Sequence, residues 1–401
     1  MKICLIIDDY LPHSIKVGAK MMHELGVQFV KMGHSVTVIT PDDTLSKRFE
    51  ITELDGVTVC HFRSGEIKNV SKLKRAINET LLSYNAWRAC KDYLQQNPHE
   101  LIVYYSPSIF WGQLVNKLKK LWGASSYLIL RDFFPQWVID NGILSEHSPI
   151  TSYFRFFERL SYQAADTIAI QSPKNLEWFA KTSGTHKPLE LLYNWASNTP
   201  ILEQSNYYRK KLGLENKVVY FYGGNIGHAQ DMMNIVRLAK NMLSIENIHF
   251  VLVGKGDEFD LVQQAIKIEN LKNMTLLPAV SQAEFKAMLS EFDVGLFSLH
   301  RDHTTHNFPG KLLAYMVQSI PILGSVNIDN DLQEVIENAQ AGYVTVNGED
   351  DKLFENACKL QDEVLRKLMG QNSKKLLHDT FSVEVAVDKI LDFYNQQKTK
   401  G

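Results

Sequence analysis

The chain has 401 residues, 45% of them hydrophobic and 22% charged, with a formal net charge of -2. That length exceeds what a single hydrophobic core organises, so two domains are expected, and the balanced charge argues against nucleic acid as a partner and for small molecules or a locally chosen surface. Cys4, Cys60, Cys90 and Cys358 lack metal-ligand spacing and fit buried, reduced thiols in a cytosolic protein.

Ile3 to Ile7 form an apolar run that ends at Asp8-Asp9, too short for a signal peptide and suited to a buried first strand. No uninterrupted apolar stretch is long enough to span a bilayer, so any membrane contact is expected to be peripheral. A loop through Gly18 follows, then Met22, Leu25 and Phe29 at helical spacing, a stop at Gly33 and a second strand from Val36 to Ile39. This is a βαβ unit whose first loop lies where open parallel sheets bind ligands. With Gly18 as its one glycine, the loop lacks the Gly-x-Gly-x-x-Gly fingerprint, which counts against a nicotinamide enzyme. Val57 to Phe62 form a third strand and lead into Lys68, Lys72, Lys74 and Arg75, interleaved with Val70, Leu73 and Ile77. That amphipathic basic segment reads as a solvated face or as a contact for anionic lipid headgroups. Two more basic and aromatic clusters follow, Lys117, Lys119 and Lys120 with Trp122, and Tyr153, Phe154, Phe156 and Phe157 with Arg155 and Arg159. Leu101 to Tyr105 and Tyr127 to Leu130 are strands, the second delivering Arg131-Asp132 to Phe133-Phe134-Pro135-Gln136-Trp137. The Arg-Asp pair is either a loop salt bridge or a polar group facing a cleft and handling sugar hydroxyls. Thr167 to Ile170 and Leu189 to Tyr193 complete the first half.

Beyond Asn198-Thr199-Pro200 the rhythm restarts with Val218 to Tyr222, which breaks into Gly223, Gly224, Asn225, Ile226 and Gly227 before a helix-compatible segment. A strand, a glycine loop and a helix present backbone N–H groups and a helix N-terminus to an anion such as a nucleotide diphosphate. The pattern repeats through His249 to Val253 with Gly254-Lys255-Gly256, Met274 to Leu277, Asp293 to Phe297, Ile320 to Leu323 and Gly342 to Val346. The expected fold class is therefore α/β, two Rossmann-like doubly wound parallel-sheet domains over 1–197 and 198–380, facing a cleft where a nucleotide and a second substrate meet. His300, His303 and His306 admit a metal reading, but Thr304, Thr305, Pro309 and Gly310 read as loop, and hydrogen bonding to a sugar or phosphate is the stronger expectation. Lys311 opens an apolar helix after Pro309-Gly310 and adds a cation to the positive end of a helix dipole, a combination that stabilises a diphosphate leaving group. The bland alternative is a solvent-exposed lysine. Asp329-Asn330-Asp331 has the Asp-x-Asp spacing used to hold divalent ions, yet Asp331 is expected as a helix N-cap, and no metal or other cofactor is expected.

The blocks Arg131-Asp132-Phe133-Phe134-Pro135-Gln136-Trp137, Gln171-Ser172-Pro173-Lys174-Asn175, Tyr193-Asn194-Trp195, Gly224-Asn225-Ile226-Gly227-His228-Ala229-Gln230 and His306-Asn307-Phe308-Pro309-Gly310-Lys311 run in order through the chain. Together they resemble the family-4 retaining glycosyltransferases with the two-domain GT-B fold, and within them the WbuB-type L-fucosamine transferases of O-antigen assembly. The resemblance implies that the loop around Gly18 closes over the donor sugar, that the second domain binds the nucleotide diphosphate, and that a last helix over about 381–401 crosses back to the first domain. It also implies a metal-independent transfer of a 6-deoxy N-acetylamino sugar from a UDP-sugar donor. The acceptor would be a polyprenyl-diphosphate-linked sugar at the inner face of the plasma membrane, where the protein would sit as a peripheral cytoplasmic enzyme. Asn225 and Gln230 stand where many members carry Arg and Lys, and His306 and Ala314 stand where they carry paired glutamates. Diphosphate binding is therefore expected from Lys311, helped by Lys255 beside Gly254 and by the backbone from Gly223 through Gly227. Sugar recognition is expected from His306 and Asn307, next to Pro309 and Gly310, and acceptor orientation from Asp132 or Arg131. A UDP-sugar 2-epimerase and a non-catalytic nucleotide-sugar-binding subunit are the rival readings, the second because the glutamates are missing.

Overall fold

The apolar runs of the first half pair into one eight-stranded sheet in a computed structural model that describes residues 1–14, 16–67, 70–140, 142–200, 205–302 and 308–400. Its strands are β1 (Lys2–Ile6), β2 (Ser35–Asp42), β3 (Phe49–Leu54), β4 (Val57–Arg63), β5 (Leu101–Ser106), β6 (Ser125–Leu130), β7 (Thr167–Ile170) and β8 (Leu189–Leu191). They lie in the order β3-β4-β2-β1-β5-β6-β7-β8, parallel throughout except for β3 against β4. The central strands are buried on both faces, which is why they read as unbroken apolar runs. Strand β3 escaped the sequence reading because Phe49-Glu50-Ile51-Thr52-Glu53-Leu54 is a half-exposed edge strand with two charges. The legible sign of it was Asp55-Gly56, whose φ values of 51° and 79° make the tight turn of a hairpin.

The second sheet holds β9 (Val218–Asn225), β10 (Ile248–Lys255), β11 (Met274–Pro278), β12 (Val294–Ser298), β13 (Ile322–Val326) and β14 (Gly342–Val346). Its order is β11-β10-β9-β12-β13-β14, and every pairing is parallel. The chain divides into one unit of Met1–Tyr193 with the helix Val383–Lys400, and a second of Asn194–Ser382. That last helix packs on the first unit through Ala386, Val387, Ile390, Phe393 and Tyr394, with the Phe393 ring 5.2 Å from that of Tyr127. Side chains the size of Val387, Ile390 and Phe393 contribute about 1.5–3 kcal/mol each when buried. Lys389 adds a hydrogen bond to the Leu191 carbonyl at 2.7 Å. In the second unit the helix after Asp329-Asn330-Asp331 starts at Asp331, and its cap lies one residue earlier than expected: the Asn330 side chain accepts from Leu332 N. Asp329, with φ 58°, makes the turn that sets this offset.

In a parallel sheet the connections leave on opposite sides at one point, and ligands bind outside the carboxyl ends of the two strands there. The first sheet switches between β1 and β5, and the second between β9 and β12.

Candidate functional site

At the second switch point, β9 ends in Tyr222-Gly223-Gly224-Asn225 and β10 ends in Gly254-Lys255. A Cβ on Gly254 would lie 1.8 Å from the Gly224 carbonyl oxygen, so only glycine lets the two tips lie this close. Gly224 has φ 134°, outside the range of ordinary residues, and a Cβ there would stand 3.4 Å from the Lys311 Nζ. Gly223 sits under the Phe285 ring and serves packing, while Gly227 abuts the side chains of Asp257 and Asn225. Asn225 Nδ2 donates to Gln230 Oε1 at 2.6 Å, so the two amides in the positions of the expected cations hold each other. Lys255 is exposed and makes no ion pair among the described residues.

Lys311 opens the helix Lys311–Val317, which Tyr315 fixes to the sheet by donating to the Leu296 carbonyl at 2.9 Å and sharing that of Phe221 at 3.3 Å. The Lys311 stem is partly exposed, whereas its Nζ is closed off from solvent and finds no hydrogen-bond partner among the described residues. The ammonium lies 3.5 Å from the centre of the Tyr222 ring, a cation–π contact, and the Tyr222 hydroxyl is tied to the Asn225 carbonyl. Burial lowers the Lys311 pKa from 10.5 to about 7. The solvent-exposed reading of this lysine is therefore set aside. A buried ammonium without a hydrogen-bond acceptor, beside the backbone of Gly224, is a group waiting for an anion. Gly310 caps the helix without a side-chain bond, and Pro309 joins Phe308, Leu312 and Phe381 in lining a small apolar hollow. His306 and Asn307, the expected sugar ligands, lie outside the described residues, as does His303.

The helix that follows the glycine turn is not bare at its N-terminus, contrary to the strand-loop-helix expectation. A 3-10 turn, His228–Gln230, intervenes, and the helix Met232–Asn241 receives a carboxylate from the next loop: Glu258 Oε2 accepts from Met232 N at 3.2 Å. Glu258 Oε1 also lies 3.5 Å from His228 Nδ1. The positive end of that dipole is thus already met by an anionic side chain. No sequence periodicity marks this return of Glu258 onto a helix that precedes it in the chain.

At the first switch point, Arg131 Nη1 donates to the Tyr105 hydroxyl at 2.9 Å, and Gln171 Nε2 donates to the Arg131 carbonyl at 2.7 Å. Arg131 and Asp132 make no ion pair within 4.0 Å among the described residues, so the pair is not the loop salt bridge it resembles. Burial raises the Asp132 carboxyl, and Arg131 opposes that in part. Asp8, just past β1, is raised by burial too, with Lys16 opposing and the Asp9 and Glu79 charges adding. The Tyr105 phenol is raised by burial and is within electrostatic reach of Arg131, Asp132 and Asp8 alike. Gly18 belongs to the first turn of the helix Val17–Lys31 rather than to a loop, and a Cβ on it would meet the Tyr105 hydroxyl at 2.9 Å. Its missing side chain lets the helix start close over Tyr105. Asp8 and Tyr105 were missed by sequence reasoning; their signal was position, since both stand at the ends of the two strands flanking the switch.

Four cations of the first-half clusters are paired with carboxylates on the protein. Lys74 pairs with Glu66 at 2.6 Å, Arg75 with Glu79 at 2.8 Å, Lys119 with Asp166 at 2.6 Å and Arg155 with Glu158 at 3.0 Å. Among the described residues no helix is long and apolar enough to cross a membrane.

Residues 204–376, most of the second unit, match the family described as Glycosyl transferases group 1. The chain is 23% identical over 328 residues to the protein named colanic acid biosynthesis glycosyl transferase WcaI of Escherichia coli K12, covering 78% of this chain and 80% of that one. Among solved structures it superposes on sucrose-phosphate synthase of Thermosynechococcus elongatus with a TM-score of 0.72 at 15% identity, over 100% of both chains. It also superposes on HepE of Anabaena in complex with UDP, with a TM-score of 0.69 at 14% identity, over 99% and 100%. At such identities the likeness is one of fold: two parallel-sheet α/β units in the GT-B architecture.

Proposed function

On the premise of a group 1 glycosyl transferase domain in the second unit, we propose that the chain is a retaining glycosyltransferase of polysaccharide synthesis, O-antigen or capsule, that takes its sugar from UDP. The observation that carries this is the closed-off Lys311 ammonium, unpartnered among the described residues and set over Tyr222 beside Gly224 at the strand switch. Lys311 neutralises the diphosphate, Lys255 adds a second charge at the rim, and Asn225, Gln230 and the backbone around Gly224 to Gly227 supply neutral donors. Because Glu258 occupies the neighbouring helix end and would repel phosphate, the diphosphate sits on the Lys311 side of the turn. HepE, crystallised with UDP, supports a uridine nucleotide here.

The donor sugar is a 6-deoxy N-acetylamino sugar, N-acetyl-L-fucosamine being the first to test, and the acceptor is a polyprenyl-diphosphate-linked sugar. Arg131, Asp132 and Asp8 hold the acceptor hydroxyls. In a front-face reaction the bond between C1 and the diphosphate oxygen breaks, the acceptor oxygen bonds C1 on the same face, and the departing diphosphate takes the hydroxyl proton. Lys311 stabilises the charge that develops on that leaving group, and holding both reactants in place supplies much of the rest. The enzyme works without a metal ion, as a peripheral protein of the inner membrane face.

The test is a single incubation of the protein with UDP-N-acetyl-L-fucosamine, polyprenyl-diphosphate-linked N-acetylglucosamine and a chelator. A disaccharide lipid with retained anomeric configuration is expected. No product with this donor or with related UDP sugars would overturn the proposal.

A further inference from the structure

A chain of three side chains links the loop after β1 to the far end of the first sheet. Tyr10 comes from that loop, His23 from the helix Val17–Lys31, and Asp55 from the hairpin turn before β4. Because β4 runs parallel to β2, and β2 to β1, the turn that starts β4 lies at the end of the sheet opposite the switch point. The Tyr10 hydroxyl lies 2.9 Å from His23 Nδ1, and His23 Nε2 lies 2.9 Å from Asp55 Oδ2. The Tyr10 and His23 rings meet edge to face, with centroids 5.6 Å apart. A carboxylate only accepts, so Nε2 carries a proton, and in the neutral ring Nδ1 then accepts from the Tyr10 hydroxyl. Tyr10 and His23 are buried and depend on partners within the protein, whereas the Asp55 side chain is 66% exposed.

The position of this chain bears on Asp8. Ile7 N donates to the Ile39 carbonyl at 3.2 Å as the backbone leaves the sheet, and three residues later Tyr10 is fixed to the helix. Asp8 lies between the two anchors. Asp9 adds bonds within the loop, accepting from Ser14 Oγ at 2.8 Å and pairing with Lys16 at 3.3 Å. We infer that Tyr10, His23 and Asp55 are positioning residues for the acceptor. Asp55 orients the His23 ring, His23 holds the Tyr10 hydroxyl, and Tyr10 fixes the turn that presents the Asp8 carboxyl at the first switch point. The inference rests on the acceptor role proposed for Asp8, and it gives a task to an exposed turn residue at the other end of the sheet.

The Asp55 φ of 51° suits asparagine and glycine as well as aspartate, so the turn survives both substitutions. Asp55→Asn retains an oxygen that accepts from His23 Nε2, and Asp55→Gly removes it. The full chain, these two variants and Tyr10→Phe are compared by amide hydrogen exchange over residues 8–14, by UDP titration, and by steady-state transfer with donor and acceptor each varied. Tyr10→Phe and Asp55→Gly are expected to exchange faster in that segment and to raise the KM for the lipid-linked acceptor about 3- to 10-fold, the factor that one neutral hydrogen bond implies, with kcat nearly unchanged. UDP affinity, set in the second unit, is expected to stay at the parent value in every variant and reports that each is folded. Asp55→Asn is expected to match the parent throughout. Unaltered exchange and acceptor KM in Asp55→Gly, or an Asp55→Asn protein as impaired as Asp55→Gly, would overturn the inference. Faster exchange in Asp55→Gly that Asp55→Asn restores, in a protein that transfers no sugar, would count against the proposed function and leave the anchoring of the Asp8 turn standing.

Discussion

Replacing Lys311 with methionine separates what the ammonium does to the fold from what it does for a ligand. Its pKa falls from 10.5 to about 7, which at 1.36 kcal/mol per tenfold change in proton affinity is about 5 kcal/mol by which the fold disfavours the charged amine. The direction follows from proton counting. Between about pH 7 and pH 10.5 the unfolded chain holds a proton that the folded chain has shed, so native stability rises with pH across that window. Below about pH 7 the folded protein carries the whole cost of a buried charge. Methionine has a similar reach and no charge, so Lys311→Met is expected to be more stable than the parent by about 1–4 kcal/mol at neutral pH, as when other buried charges are replaced by apolar groups. The gap should narrow toward pH 10. The same variant should bind UDP about 10- to 100-fold more weakly, the loss expected for one hydrogen bond to a charged group. Urea unfolding at about pH 6, 7.5 and 9, with UDP titration by calorimetry, reads both effects. A variant that is less stable at every pH, or that binds UDP as tightly as the parent, would refute the reasoning.

Three further substitutions probe the rest of the two clusters. Glu258→Gln keeps a cap on Met232 N but removes a negative charge from the glycine turn; UDP should bind more tightly, while thermal unfolding shows a loss within about 1 kcal/mol. Gly254→Ala forces a Cβ against the Gly224 carbonyl and should cost about 1–3 kcal/mol or more in chemical denaturation, with UDP affinity falling as the β9 tip moves. Asp132→Asn should lower turnover and raise the KM for acceptor while leaving UDP affinity alone, which steady-state kinetics with each substrate varied will show. Because burial raises the Asp132 carboxyl, its ionised form is disfavoured in the fold, so stability falls as pH rises through the window above 3.8, and the asparagine variant should be the more stable at neutral pH. An Asp132→Asn protein that is less stable than the parent at pH 7 would contradict that sign.

Much of the architecture was legible in the chain itself. Runs such as Leu101 to Tyr105 and Val218 to Tyr222 are short, β-branched and aromatic, and apolar on successive residues, which suits a strand covered on both faces and so two parallel sheets with helical crossovers. Gly33 and Gly123, at φ 84° and 67°, mark helix ends for the same local reason. Edge strand β3 was harder, since half its side chains face water and its pattern is diluted by charge.

The sites divide in the same way. Sequence alone put Lys311 at the start of a helix, Arg131-Asp132 at the end of a strand and glycines at the tip of β9, because each depends on neighbours within a few residues. The tertiary structure decided what those groups meet. Lys311 becomes a closed-off cation only because Tyr222 and Gly224, nearly ninety residues earlier in the chain, lie beneath it. Arg131 turns to Tyr105 rather than to its neighbour Asp132, Glu258 reaches back to cap the helix at Met232, and Lys74 and Arg75 find the carboxylates of Glu66 and Glu79. Backbone preference is a local property and can be read along the chain, whereas desolvation and charge pairing depend on which distant side chains the fold brings together.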